Sequence, residues 1–407
     1  MTDKGLVAGR LFCLLLTFSV LSHADDKTTH WVGTWASSPQ AGDATNGPPA
    51  PGFTDSTLRQ VVRVSIGGKQ IRVRFANTFG TTELNIPSAH IALAAGGGAI
   101  RAGSDRALTF NGKPSVTIPA GALMYSDPIG FDLAPLSDLA VTIRLKGVPD
   151  TTTTHPGSRA TSYLLAGDAV SSTDIPSAAT VDHWYFLNGV DVLREKSAAA
   201  IVTLGDSITD GAKSTTNANN RWPDGLARRL QANKQTKNFA VLNEGIGGNR
   251  LVHDRAGPNA LARFDRDVLA QSSVRWLIVL EGINDLGTRV SAKDRHEQAA
   301  NADDLISAYQ QIIVRAHSHN IRVYGATILP YEGAFYFTSD GEADRLKVNQ
   351  WIRTSGKFDA VIDLEAVTKN PKSPSWFSTT VDSGDHLHPG DAGYKIMSDT
   401  IDLKLFE

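Results

Sequence analysis

Ser207 lies in the segment Gly205-Asp206-Ser207-Ile208-Thr209-Asp210-Gly211, directly after the apolar run Ala198 to Leu204. A hydroxyl on a tight turn at the carboxyl end of a strand is exposed and can act as a nucleophile. Negative charge developing there is favoured if a helix starts at the same point. The glycines let the chain bend around it. A serine in this place can equally do no more than cap a helix. Two further segments also follow apolar runs. Asn243-Glu244-Gly245-Ile246-Gly247-Gly248-Asn249 permits close backbone approach to a ligand, and Glu281-Gly282-Ile283-Asn284-Asp285 offers an amide donor at Asn284. Their plainer readings are a glycine-rich turn and an Asx turn or helix cap. Near the end stands Gly384-Asp385-His386-Leu387-His388-Pro389. An Asp three residues before a His can reach back to the ring. Bonded at Nδ1, the imidazole would turn Nε2 towards a serine as a general base. His386 and His388 could instead form a metal pair, although no Cys or further His cluster has ligand spacing.

Each segment is weak evidence alone. Taken in order, with three at successive strand ends and the fourth before the last helix, they resemble the SGNH/GDSL hydrolase family. The resemblance covers about residues 198 to 407. It implies Ser207 as nucleophile, His388 as base and Asp385 as its orienter. It also implies an oxyanion hole made of the Ser207 N–H, the Gly248 N–H and the Asn284 amide. Gly247 competes with Gly248 for the second role. Asp382 and His386 lie nearby but lack the three-residue spacing. The implied chemistry is acyl transfer from a carboxylic ester, with no cofactor and no metal.

The elements that must hold these residues change character near residue 195. Before it the pattern is β: Gln60 to Ile66, Gln70 to Phe75, Ser115 to Ile118 and Leu139 to Leu145 read as strands. Gly67-Gly68 reads as the turn of a hairpin. Thr151 to Thr154 with Pro156-Gly157 reads as an exposed loop. Many short strands without helical periodicity predict an all-β sandwich or jelly roll over 25–195. Trp31, Trp35 and Trp184 are expected in its core. The segments Trp31 to Trp35 and Arg74 to Gly80 resemble the β domain that precedes the hydrolase in some exported bacterial members.

After residue 195, apolar runs alternate with helical stripes. Candidate parallel strands are Ala198 to Leu204, Phe239 to Leu242, Trp276 to Leu280, Val323 to Ile328 and Ala360 to Ile362. Leu305, Ile306, Tyr309, Ile312, Ile313 and Ala316 form one helical face. Further helices are expected from Ala343 to Thr354 and from about Ala392 onward. Such alternation predicts an α/β fold with a doubly wound, mostly parallel sheet over 196–407. In such folds the active site lies at the strands' carboxyl ends.

The chain has 407 residues with a formal net charge of −2, 41% hydrophobic and 20% charged. That is ordinary globular composition with no basic field for nucleic acid. Lys4 and Arg10, the apolar run Leu11 to Leu21, and Ser22-His23-Ala24 form the pattern of a secretory signal peptide over 1–24. Cleavage after Ala24 would remove the single cysteine, Cys13, leaving no thiol for disulfides or metal. The expected protein is secreted or periplasmic, not stably inserted in a membrane. It acts on a small-molecule or polysaccharide ester, with short-chain or acetyl esters favoured. A lipase or lysophospholipase is the alternative within the class. A non-catalytic carbohydrate-binding protein that kept the fold is the alternative outside it.

Overall fold

The computed structural model describes residues 1–2, 28–288 and 300–407. The apolar leader and the cleavage site after Ala24 lie outside them.

Two large antiparallel sheets dominate the β-rich region. One carries Thr29–Ala36, Leu187–Glu195, Gly68–Ala76 and Leu123–Tyr125 in that spatial order. The other runs through Ala179–Val181, Ser162–Ala166, Ser56–Arg63, Asp138–Leu145 and Ala89–Gly96. Alternating strands such as Ile71, Val73 and Phe75 bury one face each, and these residues share one apolar cluster with Leu58, Ile91, Val141 and Ile143. Sheet-on-sheet burial of this kind is what period-two patterning produces. Trp35 and Trp184 are buried and pair edge-to-face at 4.9 Å. Trp31 is half-buried, with the Arg72 guanidinium 4.6 Å above its ring.

Two local expectations are corrected here. Gly67-Gly68 does not close a hairpin, because Ser56–Arg63 pairs with Asp138–Leu145 while Gly68–Ala76 pairs with Leu187–Glu195. The glycines carry the chain from one sheet to the other. A Cβ on Gly67 would stand 2.1 Å from the Leu133 carbonyl oxygen, so the close approach requires glycine. The Thr-rich segment is not an exposed loop. Thr153–His155 is a fully buried strand between Gln40–Ala41 and Trp184–Tyr185. Its polarity disguised its burial, because the hydroxyls are satisfied internally: Thr154 Oγ1 donates to the Trp184 carbonyl and Thr153 Oγ1 accepts from Phe79 N.

The remainder is α/β. Among the described residues, five parallel strands are β1 (Ala199–Gly205), β2 (Phe239–Gly245), β3 (Val274–Leu280), β4 (Arg322–Ala326) and β5 (Ala360–Ile362), in spatial order β2-β1-β3-β4-β5. β1 is buried at every position, which explains its unbroken apolar run. Helices α1 (Ser207–Asp210), α2 (Trp222–Ala232), α3 (Ala260–Phe264), α4 (Ile283–Gly287), α5 (Ala302–His317), α6 (Ser339–Thr354), α7 (Leu364–Thr368) and α8 (Asp391–Thr400) complete it. The strand order reverses between β1 and β3, the switch point where open α/β sheets form their crevice. Gly205 registers with Gly245 on one side and Leu280 on the other, so three strand ends finish level.

The two regions share one continuous apolar cluster. Gly33 packs so closely on Leu242 that a Cβ would come within 2.8 Å of that side chain. Val241 N donates to Ser65 Oγ (3.1 Å), and Arg72 reaches Asp191 (2.8 Å), which also accepts from Ser272 Oγ (2.8 Å). No helix among the described residues is long and apolar enough to cross a membrane.

Candidate active site

Ser207 is the first residue of α1, whose N-cap is Asp206, accepting from Ile208 N at 2.8 Å. The capping role that a serine could have filled therefore belongs to its neighbour, and the Ser207 hydroxyl is left for another partner. That partner is His388: Oγ and Nε2 are 2.8 Å apart, although 181 residues separate them. His388 Nδ1 lies 2.8 Å from Asp385 Oδ2, while Asp385 Oδ1 accepts from the backbone N–H of His388 (2.8 Å) and Leu387 (3.0 Å). Burial raises the Asp385 carboxyl. The His388 ring and the two backbone donors outweigh that and hold it at about 2. Asp385 therefore remains ionised beside the imidazole. Lys213 Nζ is 3.8 Å away but exposed, so its contribution is small.

The segments carrying Ser207 and His388 are bound to each other. The Tyr394 hydroxyl on α8 donates to the Ala212 carbonyl (2.6 Å). Asp391 accepts from Thr215 N (2.9 Å) and Asn220 Nδ2 (2.8 Å). The loop itself closes through Ser383 N to His388 O and Gly390 N to Val381 O. His386 points elsewhere: its Nδ1 lies 2.5 Å from Asp382 Oδ2, and its ring stands edge-on to Trp376 at 5.3 Å. The two imidazoles each have their own carboxylate and do not form a pair of metal ligands. Among the described residues no group of three or more His, Cys, Asp or Glu could hold a metal ion.

The three groups expected to receive an oxyanion can be followed one by one. The backbone N–H groups of Ser207 and Gly248 meet no protein acceptor among the described residues. Gly248 takes φ +74° and, with Asn284, lines a cavity of about 500 Å³ that also includes Arg255, Phe335 and Tyr336. Gly247 is not in that wall; a Cβ there would face Asp210 instead. Asn284 does not cap a helix with its side chain. Its Nδ2 donates to Asn249 O (2.8 Å), and its Oδ1 accepts from the Tyr336 hydroxyl (3.1 Å). One N–H of Nδ2 is left over.

Beneath these groups lies Arg263, absent from the sequence reading. Its side chain is fully buried. It donates to Asn249 Oδ1 (2.9 Å), Ser38 Oγ (2.8 Å), Glu244 O (2.7 Å), Asp267 Oδ2 (3.1 Å) and Gly205 O (2.9 Å). One guanidinium thus ties the ends of β1 and β2 to the glycine segment. The acids around it respond to their surroundings. Burial pushes Asp206 up to about 7, with Asp285 adding to the rise while the Ile208 N–H and Arg263 oppose it. Burial, with Asp206 nearby, carries Glu281 well above the usual range.

A serine hydroxyl at the switch point, bonded to an imidazole that a carboxylate holds, is an arrangement that can support hydrolytic acyl transfer. Residues 203–396 match the model of the GDSL-like Lipase/Acylhydrolase family. This supports the GDSL/SGNH hydrolase family for the C-terminal half. No curated protein matches the chain. Similar solved structures include a catalytic mutant of Axe2, an acetylxylan esterase from Geobacillus stearothermophilus, at 19% identity and TM-score 0.40, covering 50% of this chain and 91% of that one. A GDSL-like lipase from Bacteroides thetaiotaomicron VPI-5482 is 19% identical, with TM-score 0.37 and 51% and 87% covered. The acetyl xylan esterase AlAXEase is 21% identical, with TM-score 0.38 and 49% and 96% covered.

Proposed function

We propose that this chain is an exported serine esterase, with 1–24 as leader, 25–195 as a β domain and 196–407 as the catalytic domain. The observation that carries the reading is the continuous chain from Ser207 Oγ through the His388 ring to Asp385, at 2.8 Å for each link. His388 takes the Ser207 proton as Oγ attacks the ester carbonyl. The carbonyl π pair moves onto oxygen, where the N–H groups of Ser207 and Gly248 and the spare N–H of Asn284 receive it. Collapse expels the alcohol, protonated by His388, and leaves an acyl-serine. Water attacks through the same base and returns the serine. No step calls for a cofactor.

Short-chain or acetyl esters, carried on carbohydrate, are the favoured substrates. The alternative of lipid acyl chains draws support from Phe335, 86% exposed at the rim of the cavity beside Asn284. A non-catalytic carbohydrate-binding protein would have no use for an oriented serine–imidazole pair with free anion donors. The test is hydrolysis of p-nitrophenyl esters of increasing chain length and of acetylated xylan, by wild type and Ser207→Ala. Acetate release by wild type, lost in Ser207→Ala, is expected. Turnover retained by Ser207→Ala would overturn the mechanism, and a rate rising beyond about four carbons would favour the lipid reading.

A further inference from the structure

α1 has only four residues, too short to be stable by itself, so tertiary contacts must hold the turn that presents Ser207. Its leading end is fixed by the Asp206 cap. Its trailing end is Asp210, one turn on from Ser207 and 3% exposed. An acid at a helix's C-terminal end opposes the helix dipole, and a buried carboxylate needs a partner. That partner comes from the β-rich region. His155 Nε2 lies 3.0 Å from Asp210 Oδ1, and Nδ1 lies 2.8 Å from the Ser38 carbonyl oxygen. Both ring nitrogens are thus engaged, one by each region. The ring is 3% exposed, stacks on Trp184 at 5.6 Å, and sits on the strand Thr153–His155, which Gln40–Ala41 and Trp184–Tyr185 flank.

The next glycine completes the clamp. A Cβ on Gly157 would come 1.8 Å from Asp210 Oδ2, so this backbone lies against the carboxylate. From the catalytic side, Gly245 is equally close, with a Cβ 2.3 Å from Asp210 N, and Asn243 Nδ2 donates to Thr209 O at 2.8 Å. Contacts between the two regions such as those at Gly33, Ser65 and Arg72 fall on segments distant in sequence from Ser207. This one falls on its own helix.

We propose that His155 is a positioning residue: through Asp210 it sets the orientation of α1, so that the β region completes the active site it precedes. The proposal rests on Ser207 being the nucleophile. It is tested with His155→Phe, which keeps the stacking ring, with Asp210→Asn, and with the double variant. The readouts are kcat and KM on p-nitrophenyl acetate, the rate of Ser207 labelling by a fluorophosphonate, and the thermal midpoint. Each single variant should lower kcat and labelling about ten- to hundredfold with KM within about twofold, the range that small misplacement of a reacting group produces. The double variant should lose no more than the worse single. Rates within about twofold of an active wild type, losses that multiply in the double variant, or failure of both single variants to fold would each overturn it. If His155→Phe alone fails to fold, labelling of Asp210→Asn decides. A wild type inert towards both ester and probe removes the esterase reading and takes this inference with it.

Discussion

Tyr336 donates its hydroxyl proton to Asn284 Oδ1 across 3.1 Å, while Asn284 Nδ2 donates to the Asn249 carbonyl. With both ends engaged the amide is held against flipping, and Asn284 lines the cavity. Asn284→Ala should lower kcat about 10²–10³-fold, the usual cost of one oxyanion donor. Tyr336→Phe keeps the ring and loses only the orienting bond. Its effect should be about 1 kcal/mol, or roughly fivefold in kcat. Steady-state kinetics on one p-nitrophenyl ester check both. Equal losses would mean that Tyr336 does more than orient.

Asp385 accepts from the His388 ring and from two backbone N–H groups. Asp385→Asn would place an amide against Nδ1 and favour the wrong tautomer. A fall in kcat of about 10³–10⁴ is expected, with KM little changed. The pH signature follows from a folded value near 2, below the ordinary 3.8. Depression of this kind stabilises the fold fully above the ordinary value, and the benefit disappears as pH falls towards 2. Melting curves between pH 2 and 5 should therefore be flatter for the variant than for wild type.

The first three segments stood out in the sequence because each follows an unbroken apolar run. Such runs are buried parallel strands, and in this sheet their ends meet at the switch point. Tyr336 was not legible: it belongs to no motif and reaches Asn284 across 52 residues. Arg263 was hidden for the opposite reason. A buried arginine in a helix reads as a surface residue until its five acceptors are seen around it. His155 was masked by its neighbours, since a run of threonines before Pro-Gly has the composition of a loop. Gly67-Gly68 misled because glycine marks a reversal or close approach without saying which sheet the next strand joins.

Asp206 immediately precedes Ser207 as the N-cap of α1, with burial raising it from 3.8 to about 7. An acid raised by folding contributes stability that is fully present below its unfolded value and is lost as pH climbs through the folded one. The fold should thus weaken as pH rises from about 4 to about 7 on account of this group. Asp206→Asn keeps an oxygen for Ile208 N but cannot ionise. Its thermal midpoint relative to wild type should increase between pH 4 and pH 8. A constant or shrinking difference would show that Asp206 is already ionised in the fold at pH 4.

Arg263 holds five partners with a fully buried side chain, among them the Gly205 carbonyl and Asn249 Oδ1. Arg263→Met preserves much of its volume and removes every bond. It also leaves Asp267 buried with only Arg266 as counter-charge, at 2.5 Å. Breaking one side of a buried ion pair costs about 3–5 kcal/mol, and because Arg266 still compensates Asp267 the lower end of that range is expected. Urea unfolding of the variant should show a loss of that size with little change in slope. The glycine segment is anchored through Asn249, so the Gly248 N–H should also lose its fixed direction. The fraction of variant still folded at 25 °C should therefore turn over more slowly than wild type, with kcat falling more than KM rises. A variant that is less stable yet has wild-type kcat would confine Arg263 to the fold and remove it from the support of the oxyanion donors.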